Sequence, residues 1–290
     1  MHFRKSTISA IIILVSLATI VVMSGLNFLF KTQNYADNKQ RSAENISVNQ
    51  RTHQRLSASM EKIFLTTKDN IKIAANLYKV ENPIGWLVLV HMMPATKESF
   101  NDLAQKFQNL GYESMAIDLR GHGESITQTN ADGTQTNAEI LDYRTFSDED
   151  HQKSILDLEA VVDYLIKNRK ATPDKISFIG ASIGANLSLQ YISEHPEFKT
   201  AILLSPGLNY RGIKTEPLVK NLKAGQKVFF ISATDDVNNK NNSEENKRLY
   251  SLVPEGVGKN IQIYQSGGHG TDILKNQPEL INLILEFIQS

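Results

Sequence analysis

One serine of this chain stands in a setting that could make it a nucleophile. Ser182 lies between Gly180 and Gly184, where an apolar run typical of a buried strand gives way to a helical pattern. A sharp strand-to-helix turn needs small flanking residues, and it holds the hydroxyl at the carboxyl end of the sheet, above the free N–H groups of the next helix. Those groups stabilise developing negative charge, so the setting favours nucleophilic attack on a carbonyl over a plain helix cap.

A serine hydroxyl attacks well only when a base takes its proton, and a histidine is the usual base. Two histidines follow Ser182 in the chain, His195 and His269. His195 ends the helix that Ser182 would begin, about three turns away, so it cannot reach the hydroxyl. His269 stands in a glycine-rich loop, residues 266–270, between a strand pattern and the final helical pattern. The sequence therefore predicts His269 as the base.

A carboxylate that orients the histidine would complete such a site. Asp235 and Asp236 follow closely on the apolar run that ends at Ile231, and either could serve. The turn after the preceding strand, residues 205–207, offers no carboxylate. The resulting chain order of serine, acid and histidine is the order expected for a parallel sheet of this kind.

Alternating strand and helix patterns would bring these loops together. Two strands joined at Asp69 and Asn70 form a predicted hairpin, and six further strands alternate with helices. The predicted strands are 62–67, 71–78, 86–90, 114–118, 176–179, 200–204, 227–231 and 261–264, and the predicted helices are 99–110, 147 or 148 to 165, 183–194, 243–252 and 278–288. This succession predicts an α/β fold with a largely parallel eight-stranded sheet and helices on both faces.

Four ordered motifs resemble those of the α/β-hydrolase superfamily, over roughly residues 61–290. The segment 118–125 resembles its Asp-x-Arg-Gly-x-Gly-x-Ser segment after the fourth strand, and 180–184 its nucleophile elbow. The segment 233–236 resembles its acid turn, whose last residue is usually the triad acid, and 268–270 its histidine loop. Within the superfamily the chain looks like small bacterial esterases and peptidase-like lysophospholipase relatives.

This resemblance implies an α/β-hydrolase fold with a catalytic triad of Ser182, His269 and Asp236, and no metal or organic cofactor. The superfamily usually carries His-Gly-x after its third strand, and this chain has Met92 at the glycine position. By position, the amides of Met93 and Ile183 would form the oxyanion hole.

His91 and His122 precede Ser182 in the chain, against the expected order, and are interpreted as residues that orient loops.

Between Leu204 and Lys227 only about twenty residues intervene, too few for a large helical cap, so a minimal lid and an open site are expected. The polar stretch 124–145 is predicted to be an excursion near the functional face.

The predicted function is hydrolysis of a carboxylic ester through an acyl-enzyme intermediate. The predicted partner is a small-molecule acyl substrate. A peptidase or amidase of the same fold is the nearest alternative, and a non-catalytic binding protein that retains the fold is another. Lysine plus arginine and aspartate plus glutamate both number 31, which argues against nucleic-acid binding. The absence of cysteine excludes disulfides and a thiolate nucleophile. Oligomeric state is left open.

The beginning of the chain is typical of a membrane anchor. Residues 6–30 carry no charge, follow Arg4 and Lys5, and are long enough to cross a bilayer as a helix. We expect a signal anchor over 1–30 with its N-terminus cytoplasmic, a polar linker over 31–59, and a hydrolase domain over 60–290 exported to the periplasm or the extracellular side. Secretion after signal cleavage and a cytosolic enzyme are the alternatives.

Overall fold

The computed structural model of the chain describes residues 59–128 and 140–290. The predicted signal anchor over 1–30 and the linker as far as residue 58 lie outside these ranges, and so does 129–139 of the predicted excursion. Within the described ranges, no helix combines the length and the apolar character that crossing a bilayer requires.

Nine strands of the described chain form one sheet in the order β1-β2-β4-β3-β6-β7-β10-β11, with β5 paired to β2. The strands are β1 Ser59–Thr66, β2 Ile71–Lys79, β3 Gly85–Val90, β4 Tyr112–Ile117, β5 Thr127–Gln128, β6 Ile176–Ala181, β7 Thr200–Leu204, β10 Lys227–Ala233 and β11 Gly258–Tyr264. A separate hairpin is formed by β8 Asn209–Tyr210 and β9 Ile213–Lys214.

The sheet is antiparallel at one edge and parallel elsewhere. Strand β2 pairs antiparallel with β1, β4 and β5, and every pairing from β4 through β3, β6, β7 and β10 to β11 is parallel. All residues of β3, β4, β6 and β7 are buried. Strands covered on both faces can be apolar throughout, which explains their continuous hydrophobic runs.

Helices cover both faces of this sheet. They are α1 Asn101–Asn109, α2 Asp148–Gln152, α3 Ile155–Arg169, α4 Ile183–Glu194, α5 Thr215–Asn221, α6 Asn242–Leu252, α7 Asp272–Asn276 and α8 Leu280–Gln289. Side chains alternate between two cores along each strand. In β3, Val88 and Val90 belong to one core, and Leu87 and Leu89 to the other.

The predicted α/β-hydrolase architecture is confirmed, with three differences in detail. The sheet gains a ninth strand, the two-residue β5. The single helix predicted to begin at 147 or 148 is two helices, α2 and α3. At their junction, Ser154, Leu156 and Asp157 each donate a backbone hydrogen bond to the residue three positions before, a tighter turn than an α-helix makes. The segment between β7 and β10 contains the β8–β9 hairpin and α5, which no strong pattern predicts.

Candidate active site

Ser182 occupies a strained turn between β6 and α4. Its backbone has φ of 53° and ψ of −117°, a conformation that side-chain-bearing residues adopt only when the surroundings impose it. The two flanking glycines are required by space. A Cβ on Gly180 would lie 2.1 Å from the carbonyl oxygen of Gly184, and one on Gly184 would lie 2.2 Å from that of Val90. The half-buried Ser182 is therefore presented at the amino end of α4, as the sequence predicts.

His269 and Asp236 are in direct contact. The Nδ1 atom of His269 lies 2.6 Å from Oδ2 of Asp236, and both side chains are buried. The other carboxylate oxygen, Oδ1, accepts the backbone N–H groups of Asn238 and Asn239 at 2.9 and 3.0 Å. The carboxylate is thus held by its own turn, and it fixes the imidazole through Nδ1 while Nε2 remains for another partner.

The neighbouring Asp235, left as an alternative acid by the sequence, has a different role. Its Oδ1 accepts the N–H groups of Gly267 and Gly268, both at 2.9 Å. From the other side, the buried hydroxyl of Ser205 accepts the N–H of Gly270 at 2.9 Å. These two side chains hold the loop that carries His269. Sequence reasoning predicted neither contact, because neither joins residues that are close along the chain.

A small cavity gathers four of the five predicted site residues. It has a volume of about 250 Å³ and is lined by Met93, Ser182, Ile183, Asn209, Tyr210, Arg211, Asn238 and His269. Asp236 stands behind the imidazole. Among the described residues, Ser182 Oγ and His269 Nε2 form no direct hydrogen bond, and such bonds are often long in substrate-free enzymes.

The loop after β3 places Met93 at this cavity. His91 is fully buried, donates from Nδ1 to the carbonyl of Met92 at 2.8 Å, and accepts the N–H of Leu119 on Nε2 at 3.0 Å. Burial lowers the pKa of His91 to about 4, so its ring is neutral at physiological pH. Met92 packs on the histidine loop, since a Cβ added to Gly270 would lie 2.5 Å from the Met92 sulfur.

His122 is buried beside His91. Its ring stacks on Tyr143 at 3.9 Å between centroids, and Nδ1 lies 3.1 Å from the Arg120 carbonyl. Burial, followed by the neighbouring His91, lowers the pKa of His122 to about 3. Neither His91 nor His122 is among the residues that line the cavity.

The segment 118–125 forms a hydrogen-bonded frame beside the loop after β3. Asp118 accepts the backbone N–H and the ammonium of Lys97 at 2.8 and 2.7 Å, and the N–H of Glu124 at 2.9 Å. Gly123 has φ of 51°, and a Cβ there would lie 2.2 Å from Oδ2 of Asp118. The pattern of the segment therefore reflects packing and hydrogen bonding around a buried carboxylate.

Arg120 makes the second buried ion pair of this frame. Its guanidinium donates to Asp157 at 2.8 and 2.9 Å and to Asp69 at 2.7 Å. Ser125 closes the segment by donating to the Asp118 carbonyl and accepting the N–H of Ala74. Among the described residues, no group of three or more histidine, aspartate or glutamate side chains is placed to hold a metal ion.

Comparison with solved structures shows the same fold. An esterase of Pyrococcus furiosus shares 20% identity, with a TM-score of 0.62, over 81% of this chain and 94% of that one. An esterase from Exiguobacterium antarcticum shares 14% identity, with a TM-score of 0.59, over 79% of this chain and all of that one. The α/β hydrolase GrgF from Penicillium sp. sh18 shares 14%, with a TM-score of 0.63. At these identities the likeness concerns the fold.

Comparison of the sequence itself gives the family. No curated protein matches the chain. The family model described as serine aminopeptidase, S33, matches residues 81–249, more than half of the chain, from β3 through most of α6. The match spans the loop after β3, the frame segment, Ser182 and Asp236. The chain therefore belongs to the S33 serine aminopeptidase-like family of α/β hydrolases.

Proposed function

We propose that this chain is an esterase that cleaves a carboxylic ester through an acyl-enzyme formed on Ser182. One observation carries the proposal. The strained Ser182 shares a cavity with His269, whose Nδ1 is held 2.6 Å from the buried carboxylate of Asp236. A hydroxyl, an imidazole and a carboxylate in this order are the parts of a serine hydrolase.

In the proposed reaction, His269 Nε2 takes the proton of the Ser182 hydroxyl as its oxygen attacks the ester carbonyl. Asp236 keeps the imidazole in the tautomer with hydrogen on Nδ1 and stabilises the imidazolium that forms. The imidazolium then protonates the departing alcohol, and the ester C–O bond breaks. Water, activated by the same imidazole, attacks the acyl-enzyme, and Ser182 regains its proton as the acid leaves.

The amides of Ile183 and Met93 are the proposed oxyanion hole. Ile183 is the first residue of α4, where free N–H groups and the helix dipole favour negative charge. Both residues line the cavity, and among the described residues neither N–H donates a backbone hydrogen bond. Because Met92 and His91 fix the loop, the Met93 amide would need no rearrangement as charge develops.

The size of the cavity favours a small substrate. At about 250 Å³ it is smaller than most drug-sized ligand pockets, which begin at roughly 300 Å³. Between β7 and β10 the chain has only the short β8–β9 hairpin and α5, and hairpin residues line one side of the cavity. An ester with a modest acyl group fits this space.

A peptidase of the same fold is the second candidate, and the name of the family favours it. An aminopeptidase must recognise the ammonium group of a free N-terminus, which calls for an unpaired carboxylate in the site. No residue that lines the described cavity carries a carboxylate, and Arg211 brings a positive charge. The ester is therefore the better-supported substrate.

Hydrolysis of matched phenyl ester, thioester and anilide forms of butyric acid tests this function. We expect cleavage of the ester, slower cleavage of the anilide, and loss of both activities in Ser182→Ala and His269→Ala. His195→Ala is the matched control, because His195 ends α4 far from the cavity and should leave the rates unchanged. Activity that survives Ser182→Ala would contradict the proposal. Preference for the anilide would favour the peptidase.

A non-catalytic binding protein is the third candidate. A fluorophosphonate probe, which reacts with an activated serine, would label an enzyme and leave such a binding protein unlabelled.

We also propose that residues 1–30 anchor the catalytic domain to a membrane, on the outer side. Full-length protein should sediment with membranes and be released by detergent, whereas a chain beginning at residue 31 should stay in the supernatant. Recovery of a processed N-terminus would instead indicate secretion.

A further inference from the structure

Arg211 stands at the mouth of the cavity, on the tip of the β8–β9 hairpin. Asn209 pairs with Lys214 and Tyr210 with Ile213, so Arg211 and Gly212 form the two-residue turn. Arg211 lines the same cavity as Ser182 and His269. A guanidinium in this position can contact a substrate bound at Ser182.

This guanidinium differs from the others in the described chain, because none of the described carboxylates forms an ion pair with it. Four of the five arginines in residues 59–128 and 140–290 form ion pairs: Arg120 with Asp69 and Asp157, Arg144 with Asp142, Arg169 with Glu113, and Arg248 with Glu216. Arg211, the fifth, forms no ion pair with any residue of these two ranges. A charge left unpaired beside a catalytic serine is available to a ligand.

The backbone of the turn is held in place and suits arginine poorly. Arg211 has φ of 52°, and Gly212 follows with φ of 80°. Asparagine and glycine adopt this conformation most readily, and a longer side chain costs about 1 kcal/mol. The side chain of Gln152, on α2, donates to the Arg211 carbonyl at 3.2 Å and fixes the turn from below. An arginine here is explained better by its side chain than by the turn.

None of the described residues that line the cavity carries a negative charge. Asn209, Asn238 and Tyr210 contribute neutral groups to its lining. Burial raises the pKa of Tyr210 to about 12, so the phenol stays neutral. Asp236 lies behind the imidazole and is occupied by His269 and by its own turn.

Resting on the proposed esterase function, we infer that the preferred substrate is a short ester that also carries a carboxylate, bound by Arg211. Guanidinium and carboxylate groups match as two parallel hydrogen bonds, which would orient the ester as well as bind it. The carboxylate lies on either the acyl or the alcohol part of the ester. Both arrangements present the same anion to the hairpin while the scissile carbonyl sits at Ser182.

Two pairs of probe esters distinguish a carboxylate on the acyl part from one on the alcohol part. For the acyl side, the pair is the monophenyl ester of adipic acid and the phenyl ester of its monoamide. For the alcohol side, the pair is 3-acetoxybenzoate and 3-acetoxybenzamide. Each pair differs only in a carboxylate against a neutral amide, so the ratio of kcat/KM within a pair measures recognition of the charge.

We expect wild type to favour the anionic member in one pair, and Arg211→Gln to lower that ratio about 10- to 30-fold, the usual scale of a charge-assisted contact. Arg211→Asn, which suits the turn, should lower it equally, and Arg211→Lys should retain part of it. Lys214→Gln is the control, because it removes one positive charge from the same hairpin without touching the cavity lining.

The outcomes separate this inference from the function on which it rests. If the neutral esters are cleaved in a Ser182-dependent way and neither Arg211 variant changes the ratio, the inference is wrong and the esterase stands. An equal loss in Lys214→Gln would also overturn it, since general charge would then explain the preference. If no probe is cleaved faster by wild type than by Ser182→Ala, the esterase function itself fails.

Discussion

Two groups of loops meet at the carboxyl edge of the sheet, and they use the same residue types in opposite ways. The scaffold side comprises the loops after β3 and β4, residues 91–97 and 118–125. The catalytic side, named after the proposed function, comprises the loops after β6, β10 and β11, residues 182–184, 234–238 and 265–270. Each side contains one buried aspartate, and the scaffold side contains two buried histidines where the catalytic side contains one.

The two sides differ in whether a histidine nitrogen is left without a partner at the cavity. On the scaffold side, both nitrogens of His91 are bound to backbone groups, and Asp118 is saturated by Lys97 and backbone donors. On the catalytic side, His269 is bound through Nδ1 alone, and Ser182 is held in a strained conformation at a cavity. Burial of a histidine therefore does not by itself point to catalysis, and neither does an unpartnered nitrogen, since Nε2 of the buried His122 also lacks a partner among the described residues. Of these histidines only His269 lines the cavity, and this supports its proposed role.

The largest expected effect is on the catalytic side. Ser182→Ala should lower kcat for ester hydrolysis about a million-fold, because the nucleophile is removed and only the cavity and oxyanion donors stay. The Ser182 side chain makes no capping hydrogen bond to α4, so the fold should be unaffected. Steady-state hydrolysis beside a far-ultraviolet spectrum of each protein measures both effects. Retained activity would remove Ser182 from the mechanism.

The two adjacent aspartates sharpen the comparison within the catalytic side. Asp236→Asn should lower kcat about 1,000-fold or more, because an amide favours the wrong imidazole tautomer. Asp235→Asn should cost only about 10-fold, because an amide oxygen can still accept the N–H groups of Gly267 and Gly268. Measuring kcat of the two purified variants on one ester compares the two losses. Equal losses would mean that loop position, rather than the histidine contact, sets the rate.

On the scaffold side, substitution should affect stability instead. Gly123→Ala should lower the free energy of unfolding by about 3 kcal/mol, because the new methyl group meets the fixed carboxylate of Asp118 at a positive φ. Gly225→Ala is the matched control. Its φ is 84° and nothing lies within 4 Å of a Cβ there, so about 1 kcal/mol is expected. Urea unfolding of both variants measures the two losses of unfolding free energy. Equal losses would mean that contact with the Asp118 carboxylate adds no cost at Gly123.

A smaller effect should appear in the pH dependence of stability. The pKa of His91 is about 4 in the folded chain, below its ordinary 6.5, so the unfolded chain binds the proton more tightly. Its contribution to stability is complete above about pH 6.5 and is lost as the pH falls toward 4. Between about pH 7.5 and pH 5 it amounts to about 2 kcal/mol.

The variant His91→Gln isolates this contribution, because glutamine can accept the Leu119 N–H but does not titrate. Urea unfolding at the two pH values should show a pH-dependent loss that is about 2 kcal/mol smaller in the variant than in wild type. The same loss in both proteins would mean that His91 is not held neutral by the scaffold.

The sequence was sufficient for the elements with a strong hydrophobic period. The predicted bounds of α4 and β7, 183–194 and 200–204, are those observed, since buried runs and a flanking glycine mark them. The β8–β9 hairpin was missed because its strands have two residues each. Its turn uses arginine at a position where glycine or asparagine would signal it.

For the site, sequence reasoning identified four of the eight residues that line the cavity, but not the other four and not the contacts that hold the histidine loop. Ser205 and Asp235 bind the histidine loop through backbone groups that lie far along the chain, and no local pattern encodes such a contact. The residues alone likewise did not decide whether Asp235 or Asp236 contacts the histidine. Only Asp236 reaches the imidazole in the folded chain.

The most direct test of the central claim is to locate a covalent adduct. Intact-mass and peptide analysis after treatment with a fluorophosphonate should show one adduct per chain on Ser182, none in Ser182→Ala, and slower labelling in Asp236→Asn. An unlabelled wild-type protein, or an adduct on another residue, would contradict the assignment of Ser182 as a nucleophile activated by His269.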